Sequence, residues 1–169
     1  LVYLESVQQS LEEVQTASDI AEIREELSKA GYISIKHDKK QQKLQKSKPL
    51  QFESSDGFTI LVGKNNIQND YITFKASRSR DIWLHTKNIP GSHTLIVRGN
   101  AEEIPDATIV EAAEICALHS KVHGGVKTPV DYTEIKNVKK IAGAKPGMVI
   151  YDNYYTVYVT PDQNHTIQG

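Results

Sequence analysis

The residue types that could do chemistry concentrate in one segment, residues 81–99, which reads DIWLHTKNIPGSHTLIVRG. It contains the single Trp, two of the six His and a Pro-Gly turn between apolar runs, with two arginines just upstream. Strand alternation would place Trp83 and His85 on one face. A Trp beside cations can stack on an unpaired base while the cations meet phosphates, although a core or rim Trp is the alternative. The candidate nucleic-acid contacts here are Arg78, Arg80, Trp83, His85, Lys87 and His93.

Metal and catalytic chemistry fit the sequence less well. The His85 and His93 pair lacks a third ligand for a metal ion. On the predicted helix, Cys116, His119 and His123 have a spacing compatible with zinc, but the sequence offers no second Cys/His cluster to complete the site. Ser92 and His93 are sequence neighbours, which does not make them a nucleophile and base, and there is no nucleophile elbow, P-loop or paired-carboxylate motif. We therefore predict no metal site, no cofactor and no enzymatic activity.

Lysines form two further groups. The polar segment 32–50 predicts a linker that orders on an anionic partner, with a solvated linker as the alternative. In segment 131–147 lysines precede a Gly/Pro loop, where they could contact phosphates without reading sequence or could belong to an ordinary charged edge strand. The candidate phosphate contacts are Lys39, Lys40, Lys43, Lys46, Lys136, Lys139, Lys140 and Lys145.

Composition limits the class of protein. With 38% apolar and 24% charged residues in 169, we expect one compact domain and an appendage. The net charge of -1 conceals seven acidic residues in 1–30 and six lysines in 31–50. One cysteine excludes an internal disulfide, and no apolar run is long enough to insert in a membrane, so we expect a cytoplasmic protein. Because the sequence begins with Leu1 rather than Met and shows no leader pattern, we expect a fragment lacking the N-terminal half of its chain.

Periodicity predicts an α+β fold, with an N-terminal helical hairpin or coiled-coil end and then an antiparallel sheet of hairpins under one or two helices. Ser18 is the expected cap of the second helix, which stops at Gly31, and Asn66 the cap of a helix in the body. A helix from Pro105-Asp106 to Gly124-Gly125 has a face of small residues. Hairpin turns are expected at Asp56-Gly57, Pro90-Gly91 and Asp152-Asn153.

Several motifs in order resemble one family: VGKNNIQND, DIWLHTKNIPGSH, VDYTEIKNVKKIAGAKPGMVIY and TVYVTP. They are similar to the NFACT-R domain, the C-terminal RNA-binding module of the RqcH/FbpA family, whose streptococcal members are also called fibronectin/fibrinogen-binding proteins. The resemblance covers about residues 58–161, and what precedes it is similar to the end of the family's coiled-coil arm. The implied organisation is a helical hairpin at 1–31, a Lys-rich linker at 32–50 and an NFACT-R-like α+β domain at 51–169.

The resemblance implies ribosome-associated quality control, in which family members bind a large subunit carrying stalled peptidyl-tRNA and recruit tRNA. We expect a non-catalytic module that binds ribosomal RNA on the large subunit, with tRNA as a further partner. The alternative is an anchorless adhesin fragment, displayed on the cell surface of a Gram-positive bacterium, that binds host fibronectin or fibrinogen. Ile141-Ala142 stands where Pro-Lys or Pro-Arg is common in the family, which removes one phosphate contact from that loop.

Overall fold

The computed structural model describes residues 1–36, 46–122 and 125–161. The elements within them are α1 (Val2–Glu12), α2 (Ala17–Lys29), β1 (Leu50–Glu53), β2 (Thr59–Val62), α3 (Asn66–Phe74), β3 (Ile82–Thr86), β4 (Thr94–Ile96), α4 (Asp106–Leu118), β5 (Thr128–Glu134), a 3-10 turn (Ile135–Asn137), β6 (Val138–Lys140), β7 (Val149–Tyr151) and β8 (Tyr155–Val159). Six strands form an antiparallel sheet in the order β1-β2-β4-β3-β5-β8, and β6 pairs with β7 as a separate ribbon. The predicted α+β class is confirmed. None of the helices in these ranges has the length and apolar content needed to cross a bilayer.

Helix α4 covers one face of the sheet. Ile82 and Leu84 of β3 share a buried core with the predicted small-residue face of α4, whose short side chains allow close approach. The helix begins at Asp106 as predicted but ends at Leu118, before the expected Gly124-Gly125. The early end follows from pairing with the turn after β3, since Ser92 N–H donates to the His119 carbonyl and Lys121 N–H to that of Pro90.

The other face of the sheet lies under α3 and the β6–β7 ribbon. The predicted hairpin about Asp152-Asn153 is wrong, because β7 pairs with β6 while β8 pairs with β5. Two apolar runs around turn residues satisfy the hairpin pattern whichever strands they pair with. Here the bend carries the chain from the ribbon to the edge of the main sheet, and the Thr133 hydroxyl lies 3.1 and 3.0 Å from the carbonyl oxygens of Asp152 and Asn153.

The N-terminal helical pair forms as predicted, with a different cap. Thr16 rather than Ser18 caps α2, because its hydroxyl accepts from Asp19 N–H while the Asp19 carboxylate accepts from Thr16 N–H, a capping box. Asn65, one residue before the predicted Asn66, caps α3 by accepting from Gln68 N–H at 2.9 Å. Capping requires an extended residue whose side chain reaches the backbone three positions on, so the geometry of the entering chain selects among adjacent candidates.

Helix α2 turns its carboxylates inward, against α3 and the residues before it. Asp19 accepts from Lys64 Nζ at 2.7 Å, with side-chain exposures of 2% and 10% respectively. Glu22 accepts from the amides of Asn65 and Gln68. Burial would by itself raise the pKa of Asp19, but hydrogen bonds from Lys64, Ser47 and the backbone bring it well below its usual range. A polar network therefore docks the helical pair on the body of the domain.

A second carboxylate in this network has the opposite pKa shift. Burial raises the pKa of Glu26, although Asn66 and Tyr3 donate hydrogen bonds that favour the ionised form. Tyr3 also belongs to a small apolar cluster with Val7 and Ile23, against which Met148 packs. The helical pair is thus held by polar contacts, which include one between Ser6 of α1 and Asn66, and by an apolar cluster to which both helices contribute.

Breaking the Asp19–Lys64 pair should destabilise the fold strongly. We expect Lys64→Met to lower the free energy of unfolding by about 3–5 kcal/mol, because it leaves a buried carboxylate uncompensated. The matched control is Lys29→Met, which removes a lysine paired with Glu25 at 2.8 Å where both side chains are more than half exposed. That change should cost no more than about 0.5 kcal/mol. Urea denaturation followed by circular dichroism measures both, and equal losses would contradict the docking role.

Candidate nucleic-acid interface

Four cations gather where β3 begins and where β4 and β5 end. We call this set the arginine end: Arg78, Arg80, Arg98 and Lys136. It is built by strand pairing, because Ile82 lies opposite Ile96 and the same register places Arg80 opposite Arg98. The backbone of Lys136 joins from β5, donating its N–H to the Ser79 carbonyl at 3.1 Å. Antiparallel pairing thus brings together residues up to 58 positions apart in the sequence.

Asp81 organises the arginine end from beneath. It is 3% exposed, and its carboxylate accepts from Arg78 N–H at 2.8 Å and Arg98 N–H at 2.9 Å. Both donors are backbone N–H groups, so neither bond to Asp81 occupies a guanidinium group. Arg98 donates to the carbonyls of Arg80 and Glu102, and Arg80 donates to the same Glu102 carbonyl. Those acceptors carry no charge.

Lys136 differs from the arginines in having a carboxylate contact, since its Nζ lies 2.9 Å from Glu134. The hydrogen bond from Lys136 holds the pKa of Glu134 below its usual range, with further lowering by Arg98 and Arg80 through space. For Arg78 the described residues include no ion-pair partner. The arginine end therefore presents positive charge that internal carboxylates only partly compensate.

The positions of Trp83 and His93 contradict the prediction that these residues contact nucleic acid. Trp83 is 1% exposed and His93 3%, so neither presents a ring to a nucleic acid. The alternative interpretation of Trp83 as a core residue is the one that holds. Its ring lies 5.8 Å from His85 in a parallel stack, 5.2 Å from His93 edge-on and 4.9 Å from Tyr151. The aromatic cluster fills the space between the sheet and the β6–β7 ribbon, because that ribbon covers the face the sequence suggested was open.

The two histidines of the aromatic cluster are held neutral. Burial lowers the pKa of His93 to about 3, and His85 adds to the effect. Burial also lowers the pKa of His85, against hydrogen bonds to the backbone of Gly91 and Thr86. His93 Nδ1 lies 2.9 Å from the Thr73 hydroxyl of α3. His93 therefore links the sheet to α3, and neither ring carries phosphate-binding charge at neutral pH.

The remaining predicted lysines divide by their partners. Lys87 lies 3.8 Å from buried Asp131 and over the Tyr154 ring, and Lys140 lies 3.1 Å from Asp70. Lys145 donates to the Ala30 carbonyl and sits over Tyr32. Of the predicted lysines, Lys46 and Lys139 are exposed and have no ion-pair partner in the described ranges. The positions outside the described residues are Lys39, Lys40 and Lys43.

Within the described chain, no group of three His, Cys, Asp or Glu is placed to hold a metal. Cys116 is fully buried against the sheet, where burial raises the pKa of its thiol to about 12. His119 contacts Glu13 of the helical pair at 2.9 Å. His123 lies outside the described residues. The zinc-compatible spacing therefore serves packing and docking at Cys116 and His119.

Two surface residues were not among the candidates that the sequence indicated. Arg98 was missed because its relation to Arg80 depends on hairpin register. Tyr155, 69% exposed at the start of β8, was missed because the single Trp was the stronger candidate for stacking. The available signal was the aromatic run YDNYYTVY, in which strand alternation requires some rings to face outward.

Several known proteins are similar in sequence to this chain. Residues 48–153 match the family described as NFACT protein RNA binding domain. The chain is similar to Rqc2 homolog RqcH of Bacillus subtilis (strain 168), with 47% identity over 98% of this chain and 29% of that protein. The Streptococcus pneumoniae protein of the same name is 43% identical over 96% of this chain and 29% of its own length. Ribosome quality control complex subunit 2 of Saccharomyces cerevisiae is 27% identical over 68% of this chain and 11% of that protein.

A solved structure has the same architecture. The C-terminal of the fibronectin/fibrinogen-binding protein from Streptococcus suis superposes with a TM-score of 0.86 and 40% identity, covering 96% of this chain and 65% of that one. This chain spans about 29% of the length of the bacterial curated relatives it matches. The match includes α1 and α2 as well as the sheet.

The buried histidines predict an acid-sensitive fold. Below pH 6.5 the unfolded chain protonates His93 while the folded chain does not, so stability falls as pH drops from 6.5 towards 3. From pH 7 to pH 5 this residue alone should remove about 2 kcal/mol from the free energy of unfolding. We expect His93→Gln to flatten the pH dependence of urea midpoints over this range. In the unmodified protein, the NMR ring resonances of His93 should not titrate above pH 5, and a midpoint near 6.5 would contradict the burial argument.

Proposed function

We propose that this chain, which belongs to the NFACT family of ribosome quality control homologues, is a non-catalytic RNA-binding module that seats an RqcH-like factor on the large ribosomal subunit. The observation that carries this proposal is the position of the arginine end and Lys139 inside the segment that matches an RNA-binding domain, where all of these cations are exposed except the half-buried Arg98. Ribosomal RNA is the proposed partner, with tRNA as a further one.

The chemistry of the arginine end suits phosphate recognition. Its guanidinium groups make no carboxylate contacts within the described residues, and the internal acceptors of Arg80 and Arg98 are uncharged carbonyls, so phosphate oxygens would compete only with neutral acceptors. Arginine presents a planar fork of donors that matches phosphate geometry. Contacts of this kind position a protein on RNA without reading the base sequence, as a module that seats a larger factor would require.

Other lysines would extend the contact. We propose phosphate contacts for Lys46 and for Lys39, Lys40 and Lys43, which lie outside the described residues. Lys87, Lys140 and Lys145 have internal partners and are weaker contributors, since phosphate binding must displace or share an existing contact. The proposed phosphate contacts are Lys39, Lys40, Lys43, Lys46 and Lys139 together with the arginine end, with Lys87, Lys140 and Lys145 as the weaker contributors.

The absence of catalysis is part of the proposal. The two nucleophile types singled out by the sequence are shielded, with Ser92 5% exposed and Cys116 fully buried. The thiol is also kept protonated by burial, as its raised pKa indicates. Any chain-extending activity of the relatives is assigned here to the parts of those longer proteins that this chain does not span.

A second candidate function rests on the solved relative. The Streptococcus suis protein of similar structure is named for fibronectin and fibrinogen binding. We propose this adhesin role as the alternative, with display on the cell surface. The two functions differ in their electrostatics, because RNA binding releases counterions and weakens steeply with salt.

The first test compares two immobilised partners, isolated large ribosomal subunits and fibronectin, across a potassium chloride series. We expect tight, salt-dependent binding to subunits. Arg78→Gln, Arg80→Gln and Lys139→Gln together should flatten the plot of log affinity against log salt by about one unit for each phosphate that no longer meets a cation. A matched control removes three exposed charges elsewhere, in Lys29→Gln, Lys121→Gln and Lys127→Gln. Equal effects of both triple variants would contradict the interface, and preference for fibronectin would favour the adhesin.

The second test concerns catalysis. The chain is added to stalled large subunits with charged tRNA and no other factor, and nascent-chain extension is followed on gels. We expect co-sedimentation with subunits at low salt, because few salt ions then compete for the phosphates, and no extension above background. Extension above background would contradict the non-catalytic assignment.

A further inference from the structure

Tyr155 stands out among the surface side chains because it is exposed and yet firmly supported. It opens the edge strand β8 and is 69% exposed. Its ring lies 5.7 Å from that of Tyr132 at an interplanar angle of 30°, and Tyr132 packs against the main core. One side of the ring is therefore backed by a neighbouring aromatic, and much of its surface faces solvent.

The cleft beside Tyr155 has pre-formed polar walls. It encloses about 360 Å³ and is lined in part by Tyr132, Lys136, Asn137 and Asn153. Asn137 Nδ2 donates to the Thr133 hydroxyl at 2.9 Å, and that hydroxyl also contacts the Asn153 carbonyl. Asp152 N–H in turn donates to the Asn137 carbonyl. The turn after β5 and the bend before β8 are thus tied together around the opening.

Positive charge borders the cleft. Lys136 lines it, and its side chain is 59% exposed. The backbone bond from Lys136 to Ser79 connects the cleft directly to the arginine end. Arg80 and Arg98 lie near enough to Glu134, another lining residue, to lower its pKa. An exposed aromatic ring therefore adjoins a group of cations.

A ring beside cations suits an unpaired nucleotide. Base stacking on an aromatic side chain tolerates any base, while adjacent Lys and Arg follow the phosphates. A duplex keeps its base faces stacked inside and offers only backbone. We propose that Tyr155 stacks on an unpaired nucleotide of the bound RNA, with Lys136 and Arg80 holding the phosphates beside it. This inference rests on the proposed RNA-binding function and specifies single-stranded RNA as the element recognised at this site.

The experiment uses the same strand as its own control. Tyr158 is 61% exposed and lies three residues from Tyr155 along β8, which places it on the opposite face. Fluorescence anisotropy with a short unstructured RNA should show that Tyr155→Ala weakens binding about 5- to 150-fold. Tyr158→Ala should bind as the unmodified chain does, and Tyr155→Trp should retain affinity. Affinity for a blunt RNA duplex should be the same for all four proteins, and thermal melts check that each variant is folded.

The outcomes separate the two proposals. If the unmodified chain binds single-stranded RNA and Tyr155→Ala binds equally well, the stacking site is wrong while RNA binding stands. Equal weakening of RNA binding by Tyr155→Ala and Tyr158→Ala would also contradict the stacking site. If the unmodified chain binds no RNA at low salt, both proposals fall. A Tyr155→Ala variant with intact RNA binding but reduced binding to fibronectin would assign the site to a protein partner instead.

Discussion

Strand β3 is covered on both faces, and this limits where the sheet can present exposed side chains. Leu84 and Trp83 point in opposite directions, yet each is no more than 1% exposed. Small residues of α4 fill one layer, while the aromatic cluster, α3 and the β6–β7 ribbon fill the other. With both faces covered by other elements, we propose that the binding residues lie at strand ends and along an edge strand. The arginine end and Tyr155 occupy those two kinds of position, and Lys87 follows β3 at its other end.

The covering of the second face depends on polar chemistry as much as on apolar burial. Three of the seven acidic residues in 1–30 are buried, and they are satisfied by a lysine, amides and a tyrosine rather than by solvent. The helical pair is consequently less acidic on its outside than its composition indicates. Buried carboxylates of this kind require specific partners, which is a reason for a particular docked arrangement and not merely for a helical hairpin.

The aromatic residues do not have the roles that the sequence suggested. The single Trp, with neutral histidines around it, is a packing element, since the ribbon that follows β5 closes over it. The proposed stacking residue is instead Tyr155 at the sheet edge, where contact with Tyr132 restricts the exposed ring. Tyr155 stays accessible beside the arginine end, an arrangement that suits binding to unpaired RNA under the proposed function.

The sequence by itself determined the α+β class, the helical pair, the β1–β2 and β3–β4 hairpins and the start of α4, because these depend on periodicity and turn residues close in the chain. Its motifs also identified the family. The structure was needed to show that β7 pairs with β6 and not with β8, that Trp83 is buried, and that Arg98 lies opposite Arg80. The first two depend on which distant segment covers or pairs with a strand, and the third depends on the register of the β3–β4 hairpin. Alternating side chains define two faces without saying which one another element will bury, so local pattern leaves the surface residues undetermined.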